Sequence, residues 1–215
     1  MSKHLKIDFV SDVSCPWCVI GLKSLEQALG RVKDVVSAEL HFQPFELNPQ
    51  MAPEGQDIGE HLAQKYGASA AQSAQTREMI RVRGAELGFV FDMDQRARIY
   101  NTFDAHRLLH WAEGQGRQHA LKMALFEAYF SKGGNPASHA LLQRVALEVG
   151  LDGVEAARIL AGDAFGAEVR AREQYYQQQG INSVPAIIIN ERHLISGGQP
   201  PEVFEQALRQ IAAQG

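Results

Sequence analysis

The apolar and polar positions at the start of the chain follow first a strand pattern and then a helix pattern. Residues 5–10 (LKIDFV) are rich in β-formers and alternate roughly, which predicts a strand. A polar turn at 11–14 follows, and apolar residues then recur every three or four positions from 19 to 29. Pro16 suits the first turn of this helix, because its missing N–H leaves nothing unpaired there. The pattern therefore predicts a strand-to-helix junction near residue 15.

The middle of the chain changes from a strand pattern to a long helical pattern. Residues 38–45 predict a second strand, in which Pro44 ends the hydrogen-bonded ladder. A Pro- and Gly-containing loop occupies 46–56, and the residues from 57 to about 179 are predicted to be nearly all helical. Capping patterns predict helix starts at Asp57 and Ser138.

The spacing of apolar residues changes from a helix pattern to a strand pattern near the end of the chain. Residues 184–190 (VPAIIIN) form a short apolar, β-branched run that is typical of a buried strand. Residues 193–196 predict its hairpin partner, and an apolar stripe from Val203 to Ile211 predicts a last helix.

Composition narrows the class of protein. The 215 residues are 45% hydrophobic, which is ample for a core and excludes a disordered chain. The net charge of −4 gives no electrostatic reason to bind nucleic acid or an anionic membrane. No apolar run approaches the roughly 20 residues that span a bilayer. Asp8 interrupts the apolar stretch at the N-terminus, which argues against a signal peptide, so we expect a cytosolic protein.

The chain contains only two cysteines, Cys15 and Cys18. Two cysteines placed at random in a chain of 215 residues would lie three positions apart in about 0.9% of cases. In a reducing cytosol, such a pair favours redox chemistry or metal binding over a structural disulfide. Structural zinc needs four ligands, and this sequence has neither a second cysteine pair nor a histidine near Cys15. We therefore predict a redox pair and no metal.

The position of the pair predicts which thiol does what. A thiolate is the species that attacks a disulfide, and a helix N-terminus stabilises it through unpaired N–H groups and the helix dipole. Cys15 would occupy that place and act as the nucleophile, while Cys18, one turn into the helix, would resolve the mixed disulfide. Pro16 restricts the active-site loop. Trp17 carries no charge, so we expect a less stabilised thiolate, and a weaker oxidant, than a Cys-Pro-His-Cys site provides.

Five stretches carry a resemblance to a known family: 11–18 (SDVSCPWC), 45–49 (FELNP), 101–108 (NTFDAHRL), 180–185 (GINSVP) and 196–200 (SGGQP). Together they resemble the DsbA-type thioredoxin-fold disulfide oxidoreductases, and the FrnE-like branch in particular. The resemblance implies an α/β thioredoxin-like fold, β-α-β…α-β-β-α, interrupted by an all-helical insertion. Residues 1–45 and 165–215 would form the thioredoxin-like domain, and 46–164 the insertion.

The resemblance also assigns roles outside the cysteine pair. It implies that Pro185 is a cis-proline facing the cysteines, and that the Val184 backbone pairs with an extended substrate. An ordinary trans proline at a strand start is the alternative.

Asp12 would either relay protons or cap the turn, and the cap is favoured. His106 and His110, four apart, are interpreted as a partly buried or solvated helix face rather than a metal pair.

We therefore predict a thiol–disulfide oxidoreductase, with disulfide isomerase activity possible. Its partners would be protein disulfides or small-molecule thiols. No cofactor would be tightly bound, although glutathione is a candidate co-substrate. The alternative is a glutathione-dependent isomerase or transferase of the hydroxychromene-carboxylate isomerase or kappa type, but those proteins usually have Ser where Cys15 stands. A third possibility is a redox-silent binding module that uses a groove beside Trp17.

Overall fold

The two ends of the chain form one sheet, and a long helical segment connects them. The computed structural model describes residues 2–214. In chain order the elements are β1 (Lys3–Ser11), α1 (Pro16–Arg31), β2 (Val36–Pro44), β3 (Gln56–Asp57), α2 (Ile58–Tyr66), α3 (Ala70–Glu86), β4 (Arg98–Ile99), α4 (Phe103–Gly114), α5 (Gln118–Phe126), a π-helical turn (Glu127–Ser131), α6 (His139–Glu148), α7 (Gly153–Ala161), α8 (Gly166–Gln178), β5 (Ala186–Ile189), β6 (His193–Ser196) and α9 (Pro201–Ala213).

The main sheet is mixed, with the strand order β2-β1-β5-β6. Strand β1 runs parallel to β2, so that Phe9 lies opposite Phe42, and antiparallel to β5, so that Phe9 also lies opposite Ile187. Strands β5 and β6 form the expected antiparallel hairpin. A parallel pair needs a crossover, and α1 provides it between β1 and β2. This arrangement confirms the predicted thioredoxin-like α/β fold with a helical insertion.

Apolar side chains of the sheet and its helices form the first core. The predicted stripe of α1 is fully buried at Leu22, Leu25 and Ala28, and α9 buries Phe204 and Leu208 in the same cluster. Burying a side chain of this size contributes roughly 1.5–3 kcal/mol. The strand-to-helix junction that carries the cysteines therefore rests on a packed layer.

The prediction of nearly continuous helix from 57 to 179 is wrong between α3 and α4. Gly88, at φ 77°, follows α3, and the backbone then runs without helix through Phe89 and Phe91 to the short strand β4. Strand β4 pairs with β3, and each has only two residues, too few to show a period. The Phe91 ring packs on Gly84, where a Cβ atom would lie 2.3 Å from it.

The helical segment shares its core with the sheet. Phe91, Phe126 and Phe130 from this segment belong to the same apolar cluster as Cys18. A second cluster joins α4, α5, α6 and α7 around Leu108 and Leu142. The predicted boundaries at 45/46 and 164/165 fall just after β2 and just before α8. The division into two domains stays a prediction, because apolar packing continues across it.

Candidate active site

The cysteine pair lies where β1 passes into α1. Cys15 is the N-cap residue of α1, with extended backbone (φ −93°, ψ 112°), and Pro16 occupies the first helical position. No acidic residue stands in the first turn of α1, so the positive end of the helix dipole faces Cys15 unopposed. Both cysteines are free thiols. Cys15 therefore occupies the position in which a helix stabilises a thiolate.

The two thiols have different surroundings. Cys15 is 3% exposed to solvent. Its thiol donates to the Val184 carbonyl oxygen, with a distance of 3.7 Å between Sγ and that oxygen. Cys18 is completely buried. Burial raises the pKa of Cys18 well above its usual range, and its hydrogen bond with Cys15 and the nearby Cys15 charge raise it further. Cys15 is thus the more accessible of the two thiols, and Cys18 rests protonated behind it.

The peptide bond between Val184 and Pro185 is cis, as the resemblance implied. The Pro185 ring packs directly on Gly21 of α1, where an added Cβ atom would lie 3.0 Å from its Cγ. The Gly197 N–H donates to the Pro185 carbonyl at 2.8 Å and ties this loop to the end of β6. Val184 is half-buried, and its N–H makes no hydrogen bond within residues 2–214.

Asp12 holds the turn before the cysteines. Its Oδ1 accepts the Ser14 N–H at 3.1 Å, and its Oδ2 accepts the Leu47 N–H at 2.7 Å. Burial favours the neutral acid, but interaction with His106 and the two N–H groups outweighs burial and lowers the pKa of Asp12 to about 2. This is the geometry of the cap that the sequence favoured. A carboxylate that stays ionised at neutral pH carries protons poorly, and the relay role stays an untested prediction.

His106 has a role that its spacing did not reveal. It is 2% exposed, and its Nε2 lies 3.6 Å from Asp12 Oδ1. His110, on the same helix, stacks instead on Phe165 with ring centroids 5.5 Å apart. His106 is therefore more deeply buried than the predicted partly buried or solvated helix face. Only the packing of α4 against the turn brings it to Asp12.

Lys122 is a second charged side chain near the cysteines that the sequence pattern did not indicate. It is completely buried, and within the described residues its Nζ has no hydrogen-bond partner. Nζ lies 5.9 Å from the centre of the Phe42 ring and 5.1 Å from that of Phe126. Burial lowers the pKa of Lys122 to about 8, against the opposing effect of Cys18 and other nearby acidic groups. Its position beside Leu121 on an apolar helix was the only signal in the sequence.

Arg96 supports the other side of the active-site loop. Its guanidinium donates to the Ser14 carbonyl at 3.3 Å and lies 4.9 Å from the ring centres of both Tyr129 and Phe130. Because Ser14 precedes Cys15, this contact helps to position Cys15. The residue comes from the irregular segment between α3 and β4, which was predicted to be helical.

Trp17 forms one wall of an open cleft of about 680 Å³. The guanidinium of Arg83 lies 5.4 Å from the centre of its ring and donates to the Gly198 carbonyl at 2.9 Å. Leu87 and Pro201 also line the cleft. The third possibility, a binding module, would use a groove beside Trp17, and this cleft lies there.

Together, these features define a thioredoxin-fold protein with a Cys-x-x-Cys pair at a helix N-terminus and a cis-proline beside it. The chain matches the DSBA-like thioredoxin domain over residues 6–209. It therefore belongs to the DSBA-like thioredoxin family.

Individual relatives agree with this assignment. A probable DsbA oxidoreductase from Streptomyces coelicolor is 32% identical and superposes with a TM-score of 0.91, covering 99% of this chain and 92% of that structure. The uncharacterized protein YwbO of Bacillus subtilis (strain 168) is 27% identical over 97% of this chain and 96% of its own length. A 2-hydroxychromene-2-carboxylate isomerase is 14% identical, with a TM-score of 0.73 and 97% of each chain covered, and shares the fold.

Among residues 2–214, no helix is both long and apolar enough to cross a membrane. In the same part of the chain, no group of three or more His, Cys, Asp or Glu side chains is arranged to hold a metal ion.

Proposed function

We propose that this protein exchanges thiols and disulfides through Cys15 and Cys18. The Cys15 thiolate attacks one sulfur of a substrate disulfide, and the other substrate sulfur leaves as a thiolate. Cys18 then loses its proton and attacks the Cys15 sulfur of the mixed disulfide. The second substrate thiolate leaves, and the Cys15–Cys18 disulfide remains. The substrate gains two electrons, and the cysteine pair loses two; the reverse sequence oxidises a dithiol.

The observation that carries this proposal is the unequal pair of thiols. Cys15 caps α1 and contacts Val184, whereas Cys18 is buried with a raised pKa. Such a pair separates the attacking thiol from the resolving thiol. A glutathione-dependent isomerase needs no thiol of its own at these positions, so two free cysteines favour exchange chemistry.

The Val184 backbone supports a protein or peptide substrate. Its N–H is unpaired within the described residues, and its carbonyl faces Cys15. An extended peptide that pairs with this backbone would place a disulfide next to the Cys15 sulfur. The cleft beside Trp17 offers an apolar wall for a neighbouring side chain.

A small thiol completes the proposed cycle. Glutathione, acting as a co-substrate rather than a bound cofactor, would reduce the Cys15–Cys18 disulfide in a cytosolic setting. Isomerase activity belongs to the same proposal, because a mixed disulfide that Cys18 resolves slowly allows a substrate to rearrange.

Insulin reduction with glutathione as the electron source tests this function. Cys15→Ser is expected to abolish activity. The matched variant Cys18→Ser should accumulate a mixed disulfide at Cys15, detectable as added mass. Retained activity in Cys15→Ser, or no exchange by the unmodified protein, would overturn the proposal.

The reduction potential tests the predicted effect of Trp17. We expect a Cys15–Cys18 couple more negative than the roughly −120 mV of DsbA, because no charge from Trp17 stabilises the thiolate. Equilibration with defined ratios of glutathione and its disulfide measures the couple. A value near that of DsbA would contradict the expectation.

A further inference from the structure

We propose that the buried ammonium of Lys122 stabilises the Cys18 thiolate while Cys18 resolves the mixed disulfide. This inference rests on the proposed function and adds a residue from the helical insertion to it. In the resolving step, Cys18 loses its proton and attacks the Cys15 sulfur, the substrate thiolate leaves with the electron pair, and that thiolate takes up the proton. The charge that forms inside the protein on Cys18 then has a positive neighbour.

The position of Lys122 is set by a polar clamp at the start of α5. The Gln118 side chain accepts the Phe42 N–H at 2.8 Å and donates to the Phe42 carbonyl at 3.0 Å. This pair of bonds docks α5 on the free edge of β2. Lys122 lies one turn further along the helix and is therefore held over the Phe42 ring, 5.9 Å from its centre.

The surroundings of Lys122 are aromatic and apolar rather than hydrogen-bonding in the described chain. Its Nζ has no hydrogen-bond partner there, and Phe42 and Phe126 flank it. The same apolar cluster contains both rings and Cys18. The acidic groups that act on it are Cys18 and Cys15 from α1 and Asp12 from the turn, in the order Cys18, Asp12, Cys15.

The other charges nearby are already paired. Asp12 is satisfied by the Ser14 and Leu47 N–H groups. On the solvent side of α5, His119 contacts Glu26 of α1 at 2.6 Å. Cys18 therefore has no ion-pair partner other than Lys122 once it ionises, and the Asp12 N–H also favours its thiolate.

A two-step chromogenic reaction separates the two cysteines. An aromatic disulfide reagent releases one coloured thiolate when Cys15 attacks and a second when Cys18 resolves. In Lys122→Met, the first release should stay within about twofold of the unmodified protein. The second should slow by about tenfold or more at pH 7, with its pH midpoint at least about one unit higher, since one pKa unit is a tenfold change in thiolate.

Two further variants distinguish the loss of the Lys122 charge from a change in packing. Lys122→Gln, which is also neutral, should shift the second release in the same direction. Lys33→Met removes an exposed lysine and should change neither release. A shift in only one of the two neutral variants, or an unchanged second release in both, would overturn the inference. Absence of the first release in the unmodified protein would instead refute the proposed function.

Discussion

Two charged side chains are buried beside the cysteine pair, and the protein surrounds them in opposite ways. Each carboxylate oxygen of Asp12 accepts a main-chain N–H, and His106 lies nearby. Lys122 has neither a hydrogen bond nor an ion pair within the described residues, and aromatic rings flank it instead. The anion is compensated by the fold, whereas the cation is not.

This difference in hydrogen bonding indicates that Asp12 has a structural role, whereas Lys122 is not buried to stabilise the fold. A buried charge with good hydrogen bonds holds backbone in place, and Asp12 does this by joining the active-site turn to the loop at Leu47. A buried charge without partners costs folding free energy. We therefore expect the protein to lose stability without Asp12 and to gain it without Lys122.

The largest effect is expected from Asp12→Ala. Removing the carboxylate leaves the Ser14 and Leu47 N–H groups unpaired and should lower the free energy of unfolding by about 3–5 kcal/mol. Urea denaturation at pH 7 measures the loss. Asp152→Ala, which removes an exposed helix cap, is the control and should cost about 1 kcal/mol. A loss no larger than that of the control would contradict the structural role.

Lys122→Met should act in the opposite direction. The lowering of the Lys122 pKa from 10.5 to about 8 corresponds to about 3 kcal/mol of destabilisation when the amine is charged. The variant should therefore be more stable at pH 7 by about this amount. The gap should close as pH rises from 8 to 10.5, because the native lysine loses its proton before the unfolded one does. Urea midpoints across this range test the trend, and a less stable variant at pH 7 would refute it.

Because the fold stabilises ionised Asp12, the free energy of unfolding should fall in acid. Its pKa is about 2 in the fold against an ordinary 3.8, so the carboxylate contributes about 2 kcal/mol above pH 4. That stability disappears as pH falls through the native pKa. Asp12→Asn cannot titrate, so the difference in unfolding free energy between it and the unmodified protein should shrink from pH 4 to pH 2. A constant difference would show that the carboxylate is not stabilised as described.

The smallest effect concerns the side-chain partner of Asp12. His106→Gln should lower stability by about 1 kcal/mol and raise the pKa of Asp12, since the 3.6 Å contact supplies only part of the compensation. His110→Gln, on the same helix but stacked on Phe165, is the control. Acid unfolding of both variants measures the change. Identical acid midpoints would show that His106 does not stabilise ionised Asp12.

The predictable part of the site lies in one short stretch. The turn, Cys15, Pro16 and Cys18 are neighbours in the chain, so capping rules and spacing locate them at a helix start. The cis bond at Pro185 followed from the resemblance and not from local patterns. The strands β3 and β4 escaped prediction because two residues carry no period.

The unpredicted part depends on elements that are distant in the chain. His106 and Lys122 lie on α4 and α5, in stretches that read as ordinary amphipathic helices. A hydropathy pattern treats a lysine beside apolar residues as a boundary of the buried face, and it cannot tell which neighbour will cover it.

The order of the main-sheet strands and the Cys-x-x-Cys pair at a helix start were determined by the sequence itself, because each depends on local spacing and backbone preference. Tertiary structure alone decided which charges became buried and which of these found partners. Burial and compensation depend on how α4 and α5 dock against the sheet, and that docking places Asp12 and Lys122 in the same site with opposite surroundings.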